Sequence, residues 1–306
     1  MGVYTELKHE EKKYIEEIYN LEIKKIEFIN TGILNSNFLI YSDGERYVLR
    51  IYEADRNLFE EEEELKLLET IADFIPVPQI IKSQRGLHIE EYGTLKFTLF
   101  SFIQGETLDK IDQGVLREIA WYLGKFHKYS EERVRNYNRK SRIDLDFYMS
   151  EIEKSKIDFN EKEKIFSIYE ELKNIDFNTL PKGIIHADIF PDNVIVKDGH
   201  INGIIDFNES YYGPYVYDLA IVINFWIKIK EYSFQKEYDL IRDFLNNYSR
   251  HRKIKKEEIK LLNLACRKMA LTFIALRLYK EKIEKAYEKA LDIEEKSYLS
   301  LIKLID

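Results

Sequence analysis

The chain has 306 residues, 45% of them apolar and 33% charged, the balance of a folded globular protein and not of a disordered one. Its formal charge of −8 argues against a dedicated nucleic-acid binder, and its single cysteine, Cys266, excludes an internal disulfide or a thiolate metal cluster. The charged opening MGVYTELKHEEKK lacks a signal-peptide core, Glu6 stands where myristoylation needs Ser or Thr, and the longest apolar run, Leu219 to Ile227, is broken by Asn224 and too short to span a bilayer, so a reduced, cytoplasmic setting without membrane is expected.

The first hundred residues read as strands with one helix. LEIKKIEFIN, SNFLIYS and RYVLRIYE alternate or run apolar, and Asp43–Gly44 between the last two is a hairpin-turn signal. LFEEEEELKLLETIADF carries Phe59, Leu65, Leu68 and Ile71 at helical spacing, and Pro76 and Pro78 close it. Its acids Glu60 to Glu63 read as a solvated face. LHIEEYG and LKFTLFSFI are two further strands. SFIQGE, residues 101–106, is the expected crossover, after which the pattern turns helical: LREIAWYLGKFHKY, FYMSEIEKSK, EKEKIFSIYEELKNI and, late in the chain, EEIKLLNLACRKMALTFIALRLY. His127, Trp121 and Trp226 read as core residues, and KEKIEKAYEKALDIEEK as solvated surface with i,i+4 charge pairs. The expected organisation is α+β: a small sheet lobe over 1–100, a hinge at 101–105 and a larger, mainly helical lobe over 106–306.

Residues 184–207 carry the chemistry. VIVK–DG–HINGIIDF predicts a hairpin turning at Asp198–Gly199, with Asn193 entering its first strand, Asp206 leaving its second and Asp188 on the loop before. An Asp and an Asn brought to one end of a ladder form a hard-oxygen site suited to Mg2+, and a further acid nearby is placed to accept a hydroxyl proton. That arrangement suits phosphoryl transfer from a metal–nucleotide, and His186-x-Asp188-x-x-x-x-Asn193 followed by Asp206-Phe207-Asn208 has the spacing of a kinase catalytic loop and metal-binding Asp. Ala187 replaces the loop arginine of protein kinases and Asn208 their glycine, which points to a small-molecule kinase. His186 reads as a brace for the loop through hydrogen bonds.

These residues, with NTGILNSNF, PVPQII, LFSFIQGETL, LGKFH and YDLAIVINFW, resemble the aminoglycoside phosphotransferase and choline kinase-like family, and within it most of all the homoserine kinases. The resemblance implies a two-lobed protein-kinase-like fold with an antiparallel-sheet N-lobe and a helical C-lobe, and an enzyme that uses ATP and Mg2+ to phosphorylate a small alcohol. It makes Asp188 the catalytic base, Asn193 and Asp206 the metal ligands, and His186 and Asp218 structural supports. It makes backbone groups of Ser101, Phe102 and Ile103 the adenine hinge, and the loop Gly32 to Asn37, including Ser36 and Asn37, a cover for the phosphates. Arg50 stands where the family's phosphate-contacting lysine is expected, with Glu64 as its helix partner; an ordinary exposed strand residue is the other reading. Homoserine requires a cation for its carboxylate. The resemblance places an arginine where Thr272 stands, which leaves Arg267 one turn away as the candidate grip. Glu209, Tyr211, Tyr212 and Asn224 either line the alcohol site or belong to the core. An aminoglycoside, choline or methylthioribose as acceptor remains open, as does a non-catalytic nucleotide-binding module. A phosphohydrolase would need more ligands beside His186 and Asp188 than Asp192. Monomer or weak dimer is the expected state.

Overall fold

A computed structural model describes residues 7–29, 35–53, 57–108, 111–133, 137, 139–284 and 297–306. The chain divides into two compact units: Met1–Glu106 with Ile195–Lys197 and Ile201–Asn208, and Thr107–Val194 with Asp198–His200 and Glu209–Asp306.

The first unit opens with a helix that the sequence reading had not anticipated, α1 (His9–Tyr19), which buries Ile15 and Tyr19 at i,i+4 spacing. Strands β1 (Ile23–Ile29), β2 (Asn35–Ser42) and β3 (Glu45–Tyr52) form an antiparallel meander. The β2–β3 turn is Asp43–Gly44 with φ of 48° and 86°, both in the left-handed region that a tight hairpin needs. Helix α2 (Leu58–Ile71) is capped by the Asn57 side chain, and β4 (Ile80–Ile81) and β5 (Glu90–Tyr92) both pair with β6 (Leu95–Ser101), which lies against β3. Ile15, Ile40, Leu49, Ile51, Phe97 and Leu99 are buried together between α1 and this sheet. Two expectations for α2 are corrected here. Phe59 is 60% exposed, and Glu61, read as solvated, is fully buried. The helix turns the face bearing Glu61, Glu64, Leu65 and Leu68 inward, so the apolar residues alone misplace its stripe by part of a turn.

Strand β7 (Glu106–Thr107) leads to the long helix α3 (Gln113–Arg133), followed by α4 (Leu145–Ser155) and α5 (Lys162–Leu172). Strand β8 (Lys182–Ile185) runs into the motif. The expected hairpin is present as β9 (Val194–Lys197) and β10 (His200–Ile204), turning at Asp198 and Gly199 with φ of 52° and 79°. Most of β9 and β10 belongs to the first unit, where Ile204 N–H bonds Pro76 O and Gly203 lies under Ile103. Strand β11 (Tyr211–Pro214) pairs with β8, and α6 (Val216–Val222) continues into a π-helical turn, Ile223–Ile227. Helices α7 (Phe234–Tyr248) and α8 (Lys256–Lys282) complete the second unit, together with a 3-10 segment, Tyr298–Ile305, that packs on α8. Residues 285–296 of the late charged stretch lie outside the described residues. No described helix is long and apolar enough to cross a membrane.

Candidate active site

In the second unit the chain leaves β8 at His186 and is held at nearly every step. Asp218, at the start of α6, accepts from the backbone N–H of His186 and of Ala187, each at 2.8 Å, through its two carboxylate oxygens. Ala187 has φ of 65°, a conformation that a side-chain-bearing residue keeps only when its surroundings dictate it. Asp188 N–H reaches back to His186 Nδ1 at 3.3 Å. Asn193 closes the loop from the far end, donating from Nδ2 to Asp188 O at 2.7 Å and to Asp188 Oδ2 at 2.9 Å. A 3-10 turn opening with Pro191 places Asn193 directly before β9. The indole N–H of Trp226, fully buried in the π turn, donates to Ile189 O at 2.8 Å, and the Phe190 ring packs tilted against Phe225 and edge-on against Phe273. Asp188 is thus a partly exposed carboxylate on a backbone fixed from both sides.

Behind the loop lies a buried polar chain. His127 Nε2 bonds Asp218 Oδ2 at 3.0 Å and its Nδ1 faces Tyr248 Oη at 2.8 Å. Arg252 donates to Tyr248 Oη at 3.1 Å and grips both oxygens of Glu258 at 3.0 Å. Burial lowers the His127 pKa against the pull of Asp218, which keeps the imidazole neutral. The ring therefore donates from Nε2 to the carboxylate and accepts from tyrosine at Nδ1. His127 is a bonded buried histidine as read, but its place behind the His186–Asn193 loop was not legible in its own sequence context.

In the first unit Arg50, on β3, is mostly buried and donates from one guanidinium nitrogen to Glu64 Oε1 at 3.0 Å and to Asn208 Oδ1 at 3.4 Å. Asn208 Nδ2 in turn donates to Asp206 Oδ1 at 2.6 Å. Burial opposes the charge on Arg50, and the carboxylates of Glu64 and Asp206 outweigh it, raising the pKa above its ordinary range. Asp206 has φ of 64°. The residue standing where protein kinases have glycine is thus the link between Arg50 and Asp206. At the expected hinge, Ser101 N–H goes to Gln79 O and Phe102 N–H to Arg46 O, whereas Ile103 N–H has no acceptor among the described residues. Ser36 and Asn37 lie within β2, and Ser36 Oγ is committed to Glu53; residues 32–34 of the expected phosphate loop lie outside the described residues.

A cavity of about 220 Å3 in the second unit is lined by Ala187, Glu209, Tyr211, Thr272 and, among residues not named from the sequence, Asp144, Asp146 and Lys268. Arg267 does not line it, because its guanidinium pairs with Glu171 at 2.6 Å. Tyr212 is 40% exposed and lies outside the lining, and buried Asn224 bonds the Cys266 carbonyl at 2.7 Å.

An antiparallel sheet unit, a helical unit and a His-x-Asp loop closed by Asn and followed by a hairpin define a kinase-like phosphotransferase. Residues 25–253 match the profile described as the phosphotransferase enzyme family, and the chain belongs to that family: it is an ATP-dependent enzyme that phosphorylates a hydroxyl. It is 28% identical over 296 residues to the homoserine kinase of Zymomonas mobilis, spanning 91% of this chain and 89% of the relative. It is 29% identical over 289 residues to that of Bartonella tribocorum, spanning 91% and 88%. The structure of an amicoumacin kinase in complex with AMP-PNP and Ca2+ matches with a TM-score of 0.74 at 14% identity, over 96% of this chain and 90% of that one, which is a likeness of fold.

Proposed function

We propose that the protein is an L-homoserine kinase, acting in the cytoplasm and forming O-phospho-L-homoserine on the route to threonine. The observation that carries this reading is the similarity to homoserine kinases over 91% of the chain, joined to a catalytic loop whose aspartate is both held and accessible. Asp188 accepts the proton of the substrate hydroxyl and orients its oxygen toward the γ-phosphorus. Asn193 fixes that carboxylate through Nδ2. Ile103 N–H is the hinge donor to adenine, and Arg50 holds phosphate oxygens while Glu64 and Asn208 set its rotamer.

Mg2+ fits the residues present. The Asn193 amide spends Nδ2 on Asp188 and keeps Oδ1 for a cation, and Asp206 spends Oδ1 on Asn208 and keeps Oδ2. Among the described residues no group of three or more His, Cys, Asp or Glu gathers as a metal site. When bound, the ion neutralises phosphate charge.

The test is ADP release with Mg·ATP against homoserine, methylthioribose, choline and aminoglycosides. Homoserine is expected to drive turnover, with Asp188→Asn lowering kcat by about 10²–10⁴. Turnover on another alcohol alone overturns the homoserine reading and leaves the kinase reading standing.

A further inference from the structure

Among the described residues, Lys268 is the one cation lining the cavity beside the catalytic loop. It projects from α8 one turn before Thr272, which also lines the cavity and bonds the Lys268 carbonyl through Oγ1 at 2.8 Å. Its ammonium lies 5.1 Å from the Phe177 ring centroid and 5.8 Å from that of Tyr217. It makes no ion pair among the described residues, although the Asp144 and Asp146 carboxylates line the same cavity. Burial lowers its pKa, and the more distant charges of Asp146, Asp144 and Asp176 pull it back up. A half-buried lysine against aromatic rings, short of contact with acids in its own cavity, is a cation left for a ligand anion.

The acids are placed for the opposite charge. Asp144 caps α4, its Oδ1 accepting from the N–H of Asp146 at 2.9 Å and of Phe147 at 3.2 Å. Asp146 Oδ1 accepts from Tyr169 Oη at 2.9 Å. Each is oriented by bonds through Oδ1, and Oδ2 of each accepts no bond from a described residue. The cavity also reaches Ala187, whose chain neighbour is Asp188. At about 220 Å3 it falls below the range of about 300–1,000 Å3 for drug-sized ligands, so it suits a small, doubly charged molecule.

We infer that this cavity recognises its acceptor as a zwitterion, with Lys268 binding the α-carboxylate and Asp144 and Asp146 the α-ammonium of an amino acid whose side-chain hydroxyl faces Asp188. The assignment rests on the homoserine kinase reading and adds to it the residues that select an amino acid from among other alcohols.

Three acceptors separate the terms: L-homoserine, 3-amino-1-propanol, which lacks the carboxylate, and 4-hydroxybutyrate, which lacks the ammonium. Lys268→Gln should raise the KM for homoserine about 10- to 100-fold, the loss of one charged hydrogen bond, with kcat largely kept. It should leave the KM for 3-amino-1-propanol within about twofold, and Lys268→Arg should recover most of the homoserine affinity. Asp146→Asn should raise the KM for homoserine and not that for 4-hydroxybutyrate. Thermal melting of each variant reports folding. If the wild type phosphorylates homoserine and Lys268→Gln leaves its KM unchanged, or raises all three KM values alike, the Lys268 assignment is wrong and the homoserine reading survives. If the wild type phosphorylates none of the three, the homoserine reading fails and this assignment with it.

Discussion

Asn208 shows how one side chain makes a departure from the protein-kinase pattern intelligible. Arg50 in place of lysine brings a planar fork with several donors, and one of its nitrogens serves both Glu64 and Asn208. Asn208 passes the constraint to Asp206. Arg50→Ala and Asn208→Ala should therefore be non-additive: a double-mutant cycle on kcat/KM for ATP is expected to show a coupling of about 0.5–3 kcal/mol, and strict additivity would mean the bridge carries no function. Ala187 tests the loop from another side. With φ of 65°, it should accept glycine with little change in activity, whereas Ala187→Val is expected to cost about 1–3 kcal/mol by chemical denaturation and most of the turnover. At this scale Asp188, Asn193 and Asp206 declared themselves as candidates by local spacing. Lys268 did not. Adjacent positions on a helix point about 100° apart, and the sequence reading named Arg267 as the grip without weighing Lys268 beside it.

At the scale of elements, the π turn after α6 sets the loop that carries Asp188. An extra residue in that turn shifts the helix phase, so Asn224 bonds the backbone of α8 while Trp226 reaches Ile189 O. Trp226→Phe keeps the bulk and loses the N–H donor. It should lower kcat with the KM for ATP unchanged, and steady-state kinetics would show an equal effect on both if the residue only filled the core. Strand β10 is coupled to Ile103 in a comparable way. A Cβ at Gly203 would fall 2.5 Å from Ile103 Cδ1, so Gly203→Ala should displace Ile103 and raise the KM for ATP, and Ile103→Ala in the same chain should relieve it. Strands and long helices were legible from their periodicity. The helix α1 and the π turn were not: α1 is short and charged, and a π turn depends on what the neighbouring helix offers its polar side chain.

For the whole molecule, the buried polar chain from Glu258 to Asp218 joins stability to pH. The folded state keeps His127 neutral at pH values where the unfolded chain begins to take up a proton, so stability falls as pH drops below about 6.5, the ordinary histidine value. His251, also pushed down by burial, acts in the same direction, and exposed His200, raised by Glu118, acts against both. Denaturant midpoints between pH 5 and 8 should fall on the acid side, and His127→Gln should flatten part of that slope. Glu258→Ala should cost about 3–5 kcal/mol, because it leaves Arg252 charged and buried without its carboxylate.

The splitting of the first unit along the chain has a consequence for synthesis. Its sheet is complete by Ser101, yet Gly203, which lies against Ile103, and Asp206 and Asn208, which steady Arg50, emerge about a hundred residues later. At about 5–20 residues per second the ribosome takes roughly 5–20 s to supply them. For that interval the nascent sheet holds Arg50 and the buried Glu64 without the Asn208 link to Asp206, and the Arg50 cluster cannot reach its final form until the second unit is half made.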